Sequence, residues 1–247
     1  MRKRRGATIS VYDRRREQRK MSTGKVFIFF ICFGGIFAVP LRFRRHYQQL
    51  PFWFVPCGEP VTDNVISGVS EQEVEASLER IKNQHQNALS DYLHHNYEYL
   101  YENVKVGPKE HQFIPNWVPG KKEVKIVKRL TDRSSQTIIS HLPKLHVDLQ
   151  KFSVAIDQMQ QDEPTVRISE AFKRTKIYLR MMLCEIESSI ANFGDLEIPE
   201  RINRDIMSPE ERAPNDETIR LVRDWGVMLK YKNYLHAWKL VFDHQAN

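Results

Sequence analysis

The stretch "QDEPT", Gln161–Thr165, constrains this chain more than any other, because it is short and lies between two long amphipathic segments. About five extended residues reach at most ~18 Å. A helix of roughly 28 residues is about 42 Å long. The link cannot travel back along such a helix, so the segments on either side of it must run antiparallel.

Both flanking segments read as helices. Before the link, Leu142, Leu145, Leu149, Phe152, Ile156 and Met159 alternate steps of three and four, the spacing of an inter-helix seam. Pro143 either sits in the first turn of this helix or kinks a longer one, and Asp132 is a candidate cap for a short lead-in. After the link, a stripe from Ile168 and Phe172 through Leu179, Leu183 and Ile186 to Ile190 and Phe193 predicts a helix beginning near Thr165. Gly194 follows as its stop signal.

Two further helices frame this pair. Ser70 with Glu73 forms a capping box, and Val74, Leu78, Ile81, Ala88, Leu89, Tyr92, Leu93 and Leu100 then recur at helical spacing. Nothing interrupts the pattern before Gly107-Pro108, so the spacing predicts one helix from Glu71 to about Val104, ~50 Å long. Near the C-terminus, Asn215 or Asp216 caps a helix whose stripe runs Leu221, Trp225, Met228, Tyr231, Leu235, Trp238 and Phe242. Gly226 costs this helix about 1 kcal/mol, and the space it leaves suits a neighbouring aromatic. The only strand candidate is "EVKIVKRL", Glu123–Leu130.

The remaining connections are long. About 27 residues, Lys105 to Thr131, separate the first and second helices, and about 22, from Gly194 to Asn215, separate the third and fourth. Each reaches more than ~70 Å, enough to pass over a whole helix. Long, short, long predicts an all-α, up-up-down-down four-helix bundle with two long crossover loops over residues 70–247.

The formal charge of +7 points towards nucleic acid until it is divided. Residues 1–40 hold 10 of the 38 Lys and Arg but 2 of the 31 Asp and Glu, leaving 28 basic and 29 acidic residues in the remainder. The body therefore has no global field for a polyanion. Within residues 1–40, Val26–Val39 is uncharged and about 21 Å long as a helix. That is short for a bilayer core of roughly 30 Å and fits the apolar region of a signal peptide. Met21 offers an alternative start, Arg14–Lys20 a weak nuclear-import reading, and Arg42–Arg45 a dibasic processing motif. Residues 41–69 read as an irregular N-terminal arm, broken by Pro51, Pro56 and Pro60, with Phe52, Trp53 and Phe54 packing onto the domain or offered to a partner. Loss of a signal peptide would remove Cys32. In an oxidising compartment Cys57 and Cys184 then either pair, or leave a buried thiol at Cys184 and a free or intermolecular Cys57.

Signatures of chemistry are missing. The chain has no His-Glu-x-x-His, no Cys-x-x-Cys, no phosphate-cradling glycine loop and no nucleophile elbow. His94 and His95 diverge by about 100° on a helix, and His141 and His146 fall on different faces. The expectation is a protein without enzymatic activity, catalytic residues, metal or cofactor.

The stretches "LPKLHVDLQKFSVAIDQM" and "RDWGVMLKYKNYLHAWKLVFDH", set among four such helices, resemble the long-chain helical cytokines of the interleukin-six class. Within it the chain is most similar to the insect Unpaired cytokines, which act through the receptor Domeless on JAK/STAT signalling. The resemblance implies a secreted, extracellular protein, monomeric before it meets its receptor. It also implies a receptor site where the end of the last helix meets the first crossover. On this chain that means Lys230, Tyr234 and Lys239, taken as outward-facing, with Phe113 and Trp117 from the loop. A second site on the first and third helices would draw on Tyr97, Tyr101, Lys173 and Arg180. The competing readings are a signal-anchored or intracellular helical interaction protein and a lipid-binding bundle.

Overall fold

The computed structural model describes residues 50–59, 70–104 and 113–245. The segment expected to be a signal peptide, Met21, the Arg14–Lys20 stretch and the Arg42–Arg45 motif lie outside the described residues. Within them every regular element is helical. No helix among them is long and apolar enough to cross a membrane.

Helix α1, Glu71–His95, starts where the sequence predicts. The Ser70 hydroxyl accepts from the Glu73 amide, and the Glu73 carboxylate accepts from the Ser70 amide, at 3.3 and 2.8 Å. Its end corrects the expected 50 Å rod. Asn96 adopts a left-handed conformation at φ 49°, a common way of stopping a helix. The chain then turns through α2, Tyr97–Leu100, and a 3-10 turn, Glu102–Val104. The turn folds Tyr97 and Tyr101 inward, where Tyr97 stacks on Phe172 and Tyr101 on Trp225.

The first long connection, expected as a crossover, carries α3, Lys121–Lys128, where the sequence offers a strand. The Glu123 carboxylate accepts from the Gly120 amide at 2.8 Å and closes its first turn. A short α4, Ser135–Ile139, follows, capped by Ser134 rather than Asp132. Helix α5, Leu142–Asp162, holds Pro143 in its first turn, where the missing N–H costs nothing. Helix α6, Val166–Asn192, begins directly after Thr165. The second crossover contains a 3-10 turn, Arg204–Ile206, and α7, Pro209–Arg212. Helix α8, Glu217–His244, is capped by the Asp216 carboxylate, which accepts from the Thr218 and Ile219 amides.

Contacts between the long helices run in opposite order along each pair. Between α1 and α6, Arg80 meets Glu185 at 2.8 Å and Asp91 meets Arg174 at 3.2 Å. Between α5 and α6, His146 faces Glu187 while Asp157 pairs with Lys176. Between α5 and α8, the Tyr234 hydroxyl donates to Asp148 at 2.9 Å and Asp162 pairs with Arg223. Between α1 and α8, His85 bonds the Leu235 carbonyl and stacks edge-on to Phe242, while Tyr92 meets Tyr231. Each of these four pairs is therefore antiparallel. The predicted α5 and α6 stripes are buried in full, from Leu142 to Met159 and from Ile168 to Phe193.

The second crossover is fixed by a buried polar cluster. Gln150 accepts from the Ile202 amide at 2.8 Å and donates to the Glu200 carbonyl at 3.3 Å. Glu187, in the helix opposite, takes both Arg201 and His146. Burial pushes the Glu187 carboxyl up, but the hydrogen bonds from His146 and Arg201 outweigh it and hold it below the ordinary value.

Residues 50–59 dock as one irregular piece. Trp53 is fully buried and donates its indole N–H to the Ile202 carbonyl at 2.8 Å. Cys57 and Cys184 are joined in a disulfide spanning 127 residues of sequence. The Arg180 guanidinium donates to the Pro56 carbonyl at 2.8 Å, closing the arm onto α6.

Candidate functional site

The site predicted from sequence is where the first crossover meets α8, and its geometry begins with a glycine. A Cβ on Gly226 would stand 2.3 Å from Ile114 Cδ1, so the loop's isoleucine fills the gap that the glycine leaves in α8. The filler is aliphatic, not the aromatic expected. Phe113, at φ 65°, turns the chain into this contact, and its own ring stays 52% exposed. Lys230 then staples the loop: its ammonium donates to the Pro115 and Val118 carbonyls at 3.0 and 3.3 Å. From Gly120 the chain enters α3, which lies along α8.

Between α3 and α8 runs an open groove of about 690 Å³. Its α8 wall is the stripe Gly226, Leu229, Asn233, His236, Ala237 and Leu240, and its opposite wall includes Val118, Lys121, Lys122, Val124 and Lys128. Leu240 is 49% exposed although it is a large apolar side chain. Four lysines line the groove against one glutamate, Glu123, whose carboxylate is already engaged by the Gly120 amide. Burial pulls the Lys230 ammonium below the ordinary lysine value, with Glu123 opposing it. Burial also lowers His236, and the charges on Lys232 and Lys239 add to that. The groove therefore combines apolar patches at Val124, Leu229 and Leu240 with a positive lining.

Comparison with protein-family models, with curated proteins and with solved structures finds no match to this chain.

The five side chains expected here fare differently. Phe113 and Lys239 are exposed, and Lys239 pairs with Asp243 one turn on. Trp117 is half-buried against the core and donates its indole N–H to Glu211 of the second crossover at 3.2 Å. Lys230 is half-buried and spent on the loop carbonyls, so it supports the surface more than it presents one. Tyr234 is a correction: it is 1% exposed, and its hydroxyl is held by Asp148. It faces α5, because α8 has neighbours on more than one side and buries a wider arc than its main stripe. The groove side chains Ile114, Val124, Leu229 and Leu240 were not anticipated. Leu240 carries a signal in sequence, since it is apolar but lies off the stripe of Leu235, Trp238 and Phe242.

The second surface expected on the first and third helices is also revised. Tyr97 and Tyr101 are each 1% exposed and belong to the core. Lys173 and Arg180 lie on the exposed face of α6, where Ile177 and Met181 are 52% and 42% exposed. Among the described residues, no group of three or more His, Cys, Asp or Glu side chains is placed to hold a metal ion.

Proposed function

We propose that this chain is a secreted helical cytokine with an up-up-down-down four-helix bundle, acting on a cell-surface receptor of the Domeless kind and through it on JAK/STAT signalling. It acts by contact, bringing receptor chains together without catalysis. The observation carrying this reading is the order of contacts. If α1, Glu71–His95, and α5, Leu142–Asp162, point one way, then α6 and α8 point the other, since each pairs antiparallel with both. That leaves two parallel neighbours in sequence, α1 to α5 and α6 to α8, each joined by a crossover long enough to overpass a helix.

The Cys57–Cys184 disulfide supports an oxidising compartment. The crossover face of α8, with exposed Leu240 in a positive groove and exposed Phe113 next in sequence to the groove's Ile114, supports a protein-facing site. The test is to apply medium containing the protein to cells bearing a Domeless-like receptor and to measure STAT phosphorylation. A rise with wild type, abolished by Phe113→Ala with Leu240→Glu, is expected. A flat response from folded protein would sink the reading for that receptor.

A further inference from the structure

The groove between α3 and α8 has a length, a lining and a charge that together select a class of occupant. Its α8 wall runs from Gly226 to Leu240, which is about 21 Å at 1.5 Å per residue. An extended strand of about six residues covers that distance. Lys122 and Lys128 are exposed in the lining. Val124, Leu229 and Leu240 supply the apolar surface between the charges.

We propose that the groove seats an acidic, extended segment of a protein partner, carrying carboxylates to Lys122 and Lys128 and an apolar side chain to Leu240. This rests on the reading that the crossover face of α8 meets the receptor, and it adds the chemistry of the segment that docks there. Charge alone would equally suit a sulfated glycan. The apolar lining decides for a polypeptide, because a sulfated sugar has nothing to bury against Val124, Leu229 and Leu240. A basic or neutral segment would leave the lysines opposed or desolvated without a partner.

The probe is a fluorescein-labelled 12-residue peptide of alternating Glu and Leu, with control peptides carrying Lys for Glu or Ser for Leu. Binding to the intact protein is followed by fluorescence anisotropy, and its location by amide shifts in isotopically labelled protein. Saturable binding of the Glu–Leu peptide is expected, with shifts along Lys121–Lys128 and Leu229–Leu240. Lys122→Glu with Lys128→Glu should weaken it about tenfold and flatten its dependence on salt. Leu240→Glu should weaken it comparably, and since all three positions are exposed the melting temperatures should hold. No saturable binding, or equal binding of the Lys–Leu peptide, overturns the proposal. So does preferential binding of a heparin-derived octasaccharide, or a concentration-dependent dimer that disappears in the double charge variant.

Signalling separates the two claims. Wild-type activity with an equally active double charge variant removes the groove proposal and leaves the cytokine reading standing. A silent wild type on receptor-bearing cells, with peptide binding intact, removes the cytokine reading for that receptor and upholds the groove.

Discussion

At the scale of single residues, two buried positions set up measurable effects. His85 is enclosed between α1 and α8, with its Nε2–H donating to the Leu235 carbonyl and no partner at Nδ1 among the described residues. Burial lowers its pKa to about 4, against the opposing pull of the Leu235 carbonyl. A second proton would have to sit on the unpartnered Nδ1. Between about pH 6.5 and 4 the unfolded chain binds a proton that the folded chain refuses. Stability contributed by neutral His85 is therefore complete above pH 6.5 and lost as pH falls towards 4, by about 3 kcal/mol in all. Asp224 works in the opposite sense. Its burial, partly offset by Arg223 and Arg220, pushes its carboxyl up to about 6, so its contribution falls as pH rises from about 4 to 6. Urea unfolding of wild type and His85→Gln at pH 7.5 and 4.5 isolates the histidine: the variant should lose less stability on acidification. Gly226 supplies the second test. Gly226→Ala adds a carbon where Ile114 already sits, and should cost about 1–2 kcal/mol as overpacking exceeds the gain in helix propensity. In an Ile114→Ala background, itself destabilised by the lost packing, the same Gly226→Ala change should instead stabilise by up to about 1 kcal/mol, showing that the cost lies in the clash.

At the scale of elements, the sequence is clearest along the apolar stripe of a helix. The stripes of α5 and α6 are buried residue for residue, because each step of three or four returns to the same side of a rod. The sequence is less clear where tertiary contacts override the period. Tyr234 lies beside the main stripe of α8 but is covered through α5, a neighbour that periodicity within α8 cannot reveal. The "EVKIVKRL" stretch alternates like a strand, yet the Gly120–Glu123 hydrogen bond and the packing of α3 on α8 make it a helix. Asn96 is the stop signal of α1, one that the apolar spacing does not show. It is the residue after glycine that most readily turns left-handed, and it sends Tyr97 and Tyr101 into the core. Of the candidate site, the sequence suggests the pairing of the first long loop with α8 only through the resemblance, and the groove is not legible at all, because its walls come from helices whose separation no spacing rule supplies. The arm is an element whose attachment can be weighed. Cys57→Ser with Cys184→Ser should cost about 2–4 kcal/mol in denaturant midpoint experiments. Trp53→Ala should cost about 3–5 kcal/mol, through a fully buried indole and its bond to Ile202.

At the scale of the whole molecule, three segments remote in sequence meet around α5 and α6. The second crossover is pinned by Gln150 and Glu187, the arm sits on that crossover through Trp53, and Trp117 reaches from the first crossover to Glu211 of the second. The loops are thus part of one interlocked surface, and strain in one should be felt by the others. Gly226→Ala is accordingly expected to weaken peptide binding in the groove as well as global stability, with amide shifts spreading from Ile114 towards Glu211. The covalent bond from Cys57 to Cys184 adds a property of its own. It encloses α1, the first crossover, α5 and α6 as far as Cys184 within a ring of backbone. A protease that cuts once anywhere between those cysteines releases nothing: the nicked molecule runs as a single band on a gel without reductant and falls into two pieces when thiol is added.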